Sequence, residues 1–422
     1  MELSSKKTMS GSQGKRTNSV SLCAHILAAL CLSALLLILI INGKLTLPFI
    51  SNQGIKHDHL NRFKILAWTP FFGHPFDNSV FHMCPNVPCE ITNERKEFNV
   101  SKAVLFHPRD INPIDMPAKR LSHMHYIFFL LESPHHVNLF LTAKNFFTLT
   151  MTYRKDSDIY MPYGWVRKME KPMNESSWAK FLIETALKKH RLVAAFVSNC
   201  QPPSAREDYV RALQQYIKVD VYGTCGPLKC PKSESEKCLD MLRREYKFFL
   251  AFENSVCKDY ATEKLFNSLK YNVVPIVLSR RIAEPLLPNG SFIAADDFAT
   301  VKELAVYLRQ LDHDMEKYLK YFDWMKSHEV IGYSDMKSLA FCRLCKVLME
   351  APLGEVGRSK SAKNIVKWYL LEGKCLRNYG TRIIGNPVTR NPPAKKRFNL
   401  NGKGKLRVGK FPRNRLNKEI RH

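Results

Sequence analysis

Residues 252–265 read FENSVCKDYATEKL, between the apolar runs FFLA and VVPIVLS. Glu253, Glu263, Lys258, Lys264, Asp259 and Tyr260 crowd into this one stretch. FFLAF reads as a strand, so Glu253 falls at its carboxyl end, where open α/β sheets bind ligands. Asp259 is placed to cap a following helix. Ala261, Leu265 and Leu269 recur every four residues and would face the sheet. Glu263 and Lys264 lie off that stripe, and Tyr260 and Lys264 become i, i+4 neighbours. A helix start offers free N–H groups to a phosphate. A lysine there opposes the helix dipole and makes more sense beside a bound anion. A solvated Glu/Lys face fits the same residues as well, and the residues alone leave both readings open.

The elements that must hold this stretch alternate. Residues 178–189 read as an amphipathic helix, 191–198 as a buried strand, 204–216 as a helix and 219–223 as a strand. KFFLAF, a helix from about Asp259, and VVPIVLS follow. Such alternation predicts βαβ units and a parallel sheet. Residues 300–324 read as helical, with Leu304, Leu308 and Leu311 on one face. Upstream, FKILAW (63–68), AVLF (103–106) and HYIFFLLES (125–133) read as strands. The polar run KMEKPMNESS (168–177) marks a boundary.

The chain has 422 residues and a net charge of +27. Residues 373–422 hold 15 Lys/Arg against the single acid Glu419, and residues 1–20 carry +3, which leaves +10 for the rest. That tail reads as disordered, either simply solvated or in contact with anionic partners. Residues 21–41 contain no Asp, Glu, Lys or Arg and are long enough to span a bilayer. Basic residues precede them, which puts the N-terminus in the cytosol and the bulk of the chain in a lumen. Three sequons, at Asn99, Asn174 and Asn289, then lie on the side where glycosylation occurs. Twelve cysteines, ten of them beyond the span, fit disulfides in an oxidising lumen. Nucleic acid is excluded as a partner by that compartment. Asp156-Ser157-Asp158 has the D-x-D pattern that can hold Mn²⁺ on a nucleotide sugar; no other metal-type cluster has suitable spacing.

FENSVCKDYATEKLFNSLKYNVVPIVLS resembles the signature of the α1,3-fucosyltransferases. ILAWTPFFG (65–73), LFHPRD (105–110), LLESPHH (130–136), YRKDSDIYMPYG (153–164), VSNCQPPSAREDYV (197–210), VDVYGTCG (219–226) and FCRLCK (341–346) resemble further blocks in the family's order. The resemblance covers roughly residues 63–350. It implies a Golgi type II membrane enzyme, single-pass, with an α/β, GT-B-like luminal part: two Rossmann-like domains facing a cleft, after an N-terminal transmembrane helix. The expected layout is a cytosolic tail (1–20), signal anchor (21–41), stem (42–62), acceptor-side domain (63–172), GDP-fucose-binding domain (173–350) and basic, disordered tail (351–422).

The same resemblance assigns roles. Arg206 and Lys264 would hold the diphosphate, Glu263 the ribose hydroxyls, and Asn254 and Tyr260 the donor near phosphates and fucose. Glu253 joins this donor set. Glu132 is the candidate base that takes the proton of the acceptor hydroxyl, with Arg109 and His107 on the acceptor side. The donor would be GDP-fucose and the acceptor a GlcNAc in a glycan, joined through its 3-hydroxyl with inversion. An α1,4-linking enzyme or a silent glycan-binding relative is the alternative. No cofactor is implied, and a divalent ion could stimulate turnover without a dedicated site. In the family's fold D-x-D does not ligate metal, so Asp156 and Asp158 become structural or acceptor-side residues. Cys84 and Cys89 would join Cys342 and Cys345; Cys200, Cys225, Cys230, Cys238, Cys257 and Cys375 stay unpaired by this reading. Phe266-Asn267-Ser268 replaces the family's frequent Arg-Asn-Ala, and Asn272 and Ser279 stand where glycine is common. The tryptophans common before the ESP block are missing, which leaves the acceptor open.

Overall fold

The computed structural model describes residues 62–137, 146–186, 188–350 and 357–384. The predicted cytosolic tail, span and nearly all the stem lie outside the described residues, as does the chain beyond residue 384. Among the described residues no helix is long and apolar enough to cross a membrane.

Two parallel sheets carry the architecture. The first contains β1 (Phe63–Ala67), β2 (Cys89–Thr92), β3 (Ala103–Phe106), β4 (His125–Leu130), β5 (Leu149–Thr152) and β6 (Ile159–Tyr160), in the order β2-β1-β3-β4-β5-β6. Every residue of β3 and β4 is buried. That is why AVLF and HYIFFL read as unbroken apolar runs: a parallel sheet covered on both faces has no polar side. A two-stranded antiparallel ribbon follows, β7 (Trp165–Lys168) paired with the distant β13 (His328–Ile331). The second sheet holds β8 (Arg191–Phe196), β9 (Val219–Tyr222), β10 (Tyr246–Leu250), β11 (Val274–Val277) and β12 (Ile293–Ala294), in the order β12-β11-β10-β8-β9. Around it run α1 (Glu175–Ala186), α2 (Arg206–Gln214), α3 (Ser235–Glu245), α4 (Glu263–Lys270) and α5 (Val301–His313). Leu304, Leu308 and Leu311 are buried as their spacing predicts.

Three expectations need correction. The helix expected from Asp259 begins only at Glu263. Asp259 takes φ +60° and cannot cap it; Thr262, in an extended conformation, is the N-cap residue. The helix expected over 300–324 ends at His313, and the Asp314 carboxylate accepts from the Lys317 N–H to start another turn.

The third correction concerns the C-terminal region. The helix α6 (Tyr333–Glu350), expected in the second domain, packs Phe341, Leu344 and Cys345 into the core of the first sheet. Cys84–Cys342 and Cys89–Cys345 bridges fasten it there. Residues expected to be disordered, 357–384, are folded through to α7 (Tyr379–Ile384). Ile365, Trp368 and Tyr369 join the first core and Ile383 the second. The Lys363, Lys367, Lys374 and Arg382 side chains stay exposed, so the charge that suggested disorder sits on the outside of a sparse apolar pattern. Asn272 takes φ +56°, a left-handed conformation that asparagine tolerates where glycine would otherwise serve.

Candidate active site

The chain leaves β8 towards β9 on one side, and β10 lies on the other, so the order of the second sheet reverses beside β8. At this switch point the carboxyl ends of the strands open on a cleft of about 310 Å³, within the size of small-molecule sites. Ser198, Asn199, Arg206, Asn254, Glu263 and Lys264 line it.

Arg206 opens α2 and is only 3% exposed. Its Nη1 donates to the Phe252 carbonyl (2.7 Å), Nη2 to that of Asn199 (3.2 Å) and Nε to Glu207 Oε1 (2.8 Å). The guanidinium thus ties together the loops after β8 and β10. Lys264 Nζ lies 3.0 Å from Thr262 Oγ1, 3.1 Å from Glu263 Oε1 and 3.4 Å from Glu253 Oε2. Burial works against its charge, but Glu253 and Glu263 outweigh burial and its pKa is raised. Glu263 shows the reverse balance: burial opposes its charge, Lys264 prevails, and the carboxyl is held below the usual range.

Two residues expected to touch the donor are buried against protein partners. The Glu253 carboxylate accepts from the Thr262 N–H (2.6 Å) and hydroxyl (2.9 Å), which fixes the start of α4 and steadies Lys264. Burial pushes its pKa up. Tyr260 is 2% exposed and packs edge-on against Tyr153 at 5.0 Å. It precedes the helix, so it is not the i, i+4 neighbour of Lys264 that the pattern suggested. Asn254 is different: its Oδ1 is buried at the cleft with no protein partner. A native structure rarely leaves such an acceptor unmet, and here it borders the cleft.

Glu132 follows the carboxyl end of β4. Burial pushes its carboxyl up, partly opposed by Arg109 and Lys264; Arg109 Nη1 is 3.8 Å away. The loop it begins meets the loop after β10. Ser133 Oγ donates to Ser255 Oγ at 2.8 Å, and His135 Nδ1 lies 3.2 Å from the same oxygen. The ESPHH and FENS blocks therefore touch, one from each sheet. Neither serine was singled out in the sequence; each sits inside a singled-out block.

Arg109 is 40% exposed beside Glu132. His107, expected on the acceptor side, is fully buried instead. Its Nδ1 is 2.6 Å from Asp110 Oδ2, aromatic rings surround it, and burial pushes its pKa down. It props the Arg109 loop from beneath. Asp110 also accepts from the Phe72 N–H, and the exposed Phe72 ring lies 5.3 Å from the Arg109 guanidinium. Sequence reasoning missed Phe72; its φ of +52° is not readable from residue type.

The D-x-D block is closed off. Asp156 takes two bonds from the fully buried Arg154 (2.8 and 2.7 Å) and one from Lys258 (3.0 Å). Asp158 Oδ2 accepts from Thr150, Ser359 and Ser361. Both are structural. Among the described residues, the grouping closest to a metal set is His135, Cys257 and Cys375, but those sulfurs are joined in a disulfide. The other unassigned cysteines pair as Cys200–Cys225 and Cys230–Cys238. The sequon residues Asn99, Asn174 and Asn289 are all exposed.

Two family profiles match this chain. "Fucosyltransferase, N-terminal" covers residues 60–164, and "Glycosyltransferase family 10 (fucosyltransferase) C-term" covers residues 186–368. The chain belongs to glycosyltransferase family 10, the fucosyltransferases. It is 34% identical over 69% of its length to Alpha-(1,3)-fucosyltransferase fut-1 of Caenorhabditis elegans, spanning 66% of that protein. It is 32% identical over 85% of its length to Alpha-(1,3)-fucosyltransferase C of Drosophila melanogaster, spanning 92% of that protein. Among solved structures, an α1,3-fucosyltransferase with GDP-fucose matches 70% of this chain and 92% of its own at 17% identity, with a TM-score of 0.46. The cleft falls within the C-terminal profile and Glu132 within the N-terminal one, so this fucosyltransferase brings its two matched regions together at the Ser133–Ser255 contact.

Proposed function

We propose that this fucosyltransferase moves L-fucose from GDP-fucose to the 3-hydroxyl of a GlcNAc in a glycan, with inversion at the anomeric carbon. The observation that carries this reading is the cleft itself: the Arg206 and Lys264 cations and the unmet Asn254 acceptor lie across the Ser133–Ser255 contact from the Glu132 loop. Lys264 holds the diphosphate as a point charge; Arg206, whose Nε, Nη1 and Nη2 already bond Glu207 and the Phe252 and Asn199 carbonyls, adds its charge and its two remaining N–H groups. Glu263, with 48% of its side chain exposed, accepts from the ribose hydroxyls.

Glu132 removes the acceptor hydroxyl's proton as that oxygen bonds to the anomeric carbon. The bond to the diphosphate breaks with its electron pair, and the two cations stabilise the charge that collects on GDP. A base whose pKa burial pushes up suits this task. The fold class this implies is GT-B-like, with the first sheet on the acceptor side and the second on the donor side. The apolar, uncharged residues 21–41 support a type II Golgi membrane enzyme with this part in the lumen.

The test gives the full chain GDP-fucose and a panel of N-glycan core and terminal GlcNAc acceptors, then analyses the linkage formed. A folded, GDP-binding protein that fucosylates none of them overturns the reading. An α1,4 product overturns the linkage alone.

A further inference from the structure

We propose that the Tyr369 hydroxyl, carried on a C-terminal strap over residues 366–381, is a positioning group for Glu132. The inference rests on the reading of Glu132 as base. Beyond β4 the chain leaves the sheet, and its carbonyls lose their ladder partners. A buried carbonyl must find another. Here two tyrosines supply it: Tyr163 donates to the Leu131 carbonyl at 3.0 Å, and Tyr369 donates to that of Glu132. The peptide groups on either side of the Glu132 Cα are thereby held, and with them the direction in which its side chain leaves the backbone.

Tyr369 is itself anchored. It is 0% exposed and packs edge-on against Phe128 of β4 at 5.3 Å. The neighbouring Trp368 carbonyl accepts from the buried Arg154. The strap then runs past both loops of the site. Lys258 donates to the Gly373 carbonyl (2.8 Å), Leu376 to that of Val256 (2.8 Å), and Cys375 is bridged to Cys257. Further on, Asn378 and Gly380 donate to the Pro203 and Ser204 carbonyls (2.7 Å each), just before Arg206. Gly373 is required for closeness: a Cβ there would lie 2.5 Å from the Tyr369 carbonyl oxygen and 2.9 Å from Pro134. One segment therefore contacts the Glu132 loop, the FENS loop and the approach to α2. Tyr369 also falls one residue beyond the matched family profile, which ends at 368.

Tyr369→Phe in the full chain tests this, because it removes the hydroxyl and keeps the ring. The expected result is a kcat lower on the order of 10- to 100-fold, with KM for GDP-fucose and GDP affinity within about twofold. Freed of its tether, the Glu132 carboxylate moves towards water, so the acid limb of kcat shifts to lower pH. An unchanged kcat and acid limb overturns the proposal. So does a fall in activity that only tracks the loss of GDP-binding protein, which would make Tyr369 a stability residue. Glu132→Gln, run alongside, separates the two readings. If that variant turns over normally, the base assignment fails; if it is inactive while Tyr369→Phe is normal, the positioning role alone fails.

Discussion

Arg154, just after β5, and Arg206, at the start of α2, are both almost wholly buried, yet they sit in opposite settings. Arg154 spends its guanidinium inside a closed cluster: both Asp156 oxygens, the Trp368 carbonyl and the Trp368 ring at 4.4 Å. Each of the three Arg154 guanidinium nitrogens has a protein acceptor there. Arg206 bonds loop carbonyls that frame a cleft, and beside it stand Lys264 and an Asn254 oxygen with no protein partner. A buried arginine stands in both places. What separates scaffold from site is which polar groups remain unmet and whether a cavity lies in front of them.

Substitutions on the two sides of this comparison should part cleanly. Arg154→Ala is expected to have the largest effect, on folding. Breaking a buried pair costs about 3–5 kcal/mol, and the low end applies because Asp156 is 40% exposed. Denaturant unfolding would measure the loss, while the folded fraction should bind GDP as before. Weakened GDP affinity without lost stability would break the comparison. Lys264→Ala comes next and acts on the other side. Losing a charge-assisted bond to phosphate costs about 1.5–3 kcal/mol, roughly 10- to 100-fold in GDP affinity by calorimetry. Its midpoint of unfolding should fall less than that of Arg154→Ala, since the Glu253 carboxylate loses this cation but keeps its bonds to Thr262. Asn254→Ala is smaller still, about 1 kcal/mol of GDP binding. It sharpens the comparison most, because the oxygen it removes has no protein partner. A destabilised Asn254→Ala protein with intact GDP affinity would place that side chain in the scaffold.

The second sheet was more legible than the site it carries. Runs such as RLVAAF and VDVY announce strands because a buried parallel sheet needs apolar residues on both faces. The start of α4 was not legible: Asp259 looks like a cap, and only the φ of +60° shows that it turns the chain instead. Glu253 and Tyr260 carried the right chemistry in the right block but face inward, a matter of side-chain direction that spacing does not encode. His107 is likewise turned inward. The strap was hidden by composition. Its lysines and arginines lie outside, and the apolar residues that fold it are few. Cys375 was the one available signal, an unassigned cysteine in a chain whose count beyond the span was even. It pairs with Cys257 inside the stretch FENSVCKDYATEKL.

The smallest expected effect lies where the two sides of the molecule meet. Arg109 is half exposed and 3.8 Å from Glu132, so it contributes little to folding. It does bear on the proposed base: burial raises the Glu132 pKa, and the Arg109 guanidinium pulls it back down. Removing that cation in Arg109→Ala leaves burial less opposed, so the carboxyl gains its proton at a higher pH. The base is active only when ionised. The acid limb of kcat should therefore move to higher pH, with the plateau at alkaline pH little changed and GDP affinity untouched. This direction is the opposite of that expected for Tyr369→Phe, where the carboxylate gains water. A pair of pH profiles moving apart would tie both residues to the same carboxylate. An Arg109→Ala profile moving to lower pH would mean that the limb reports some other group.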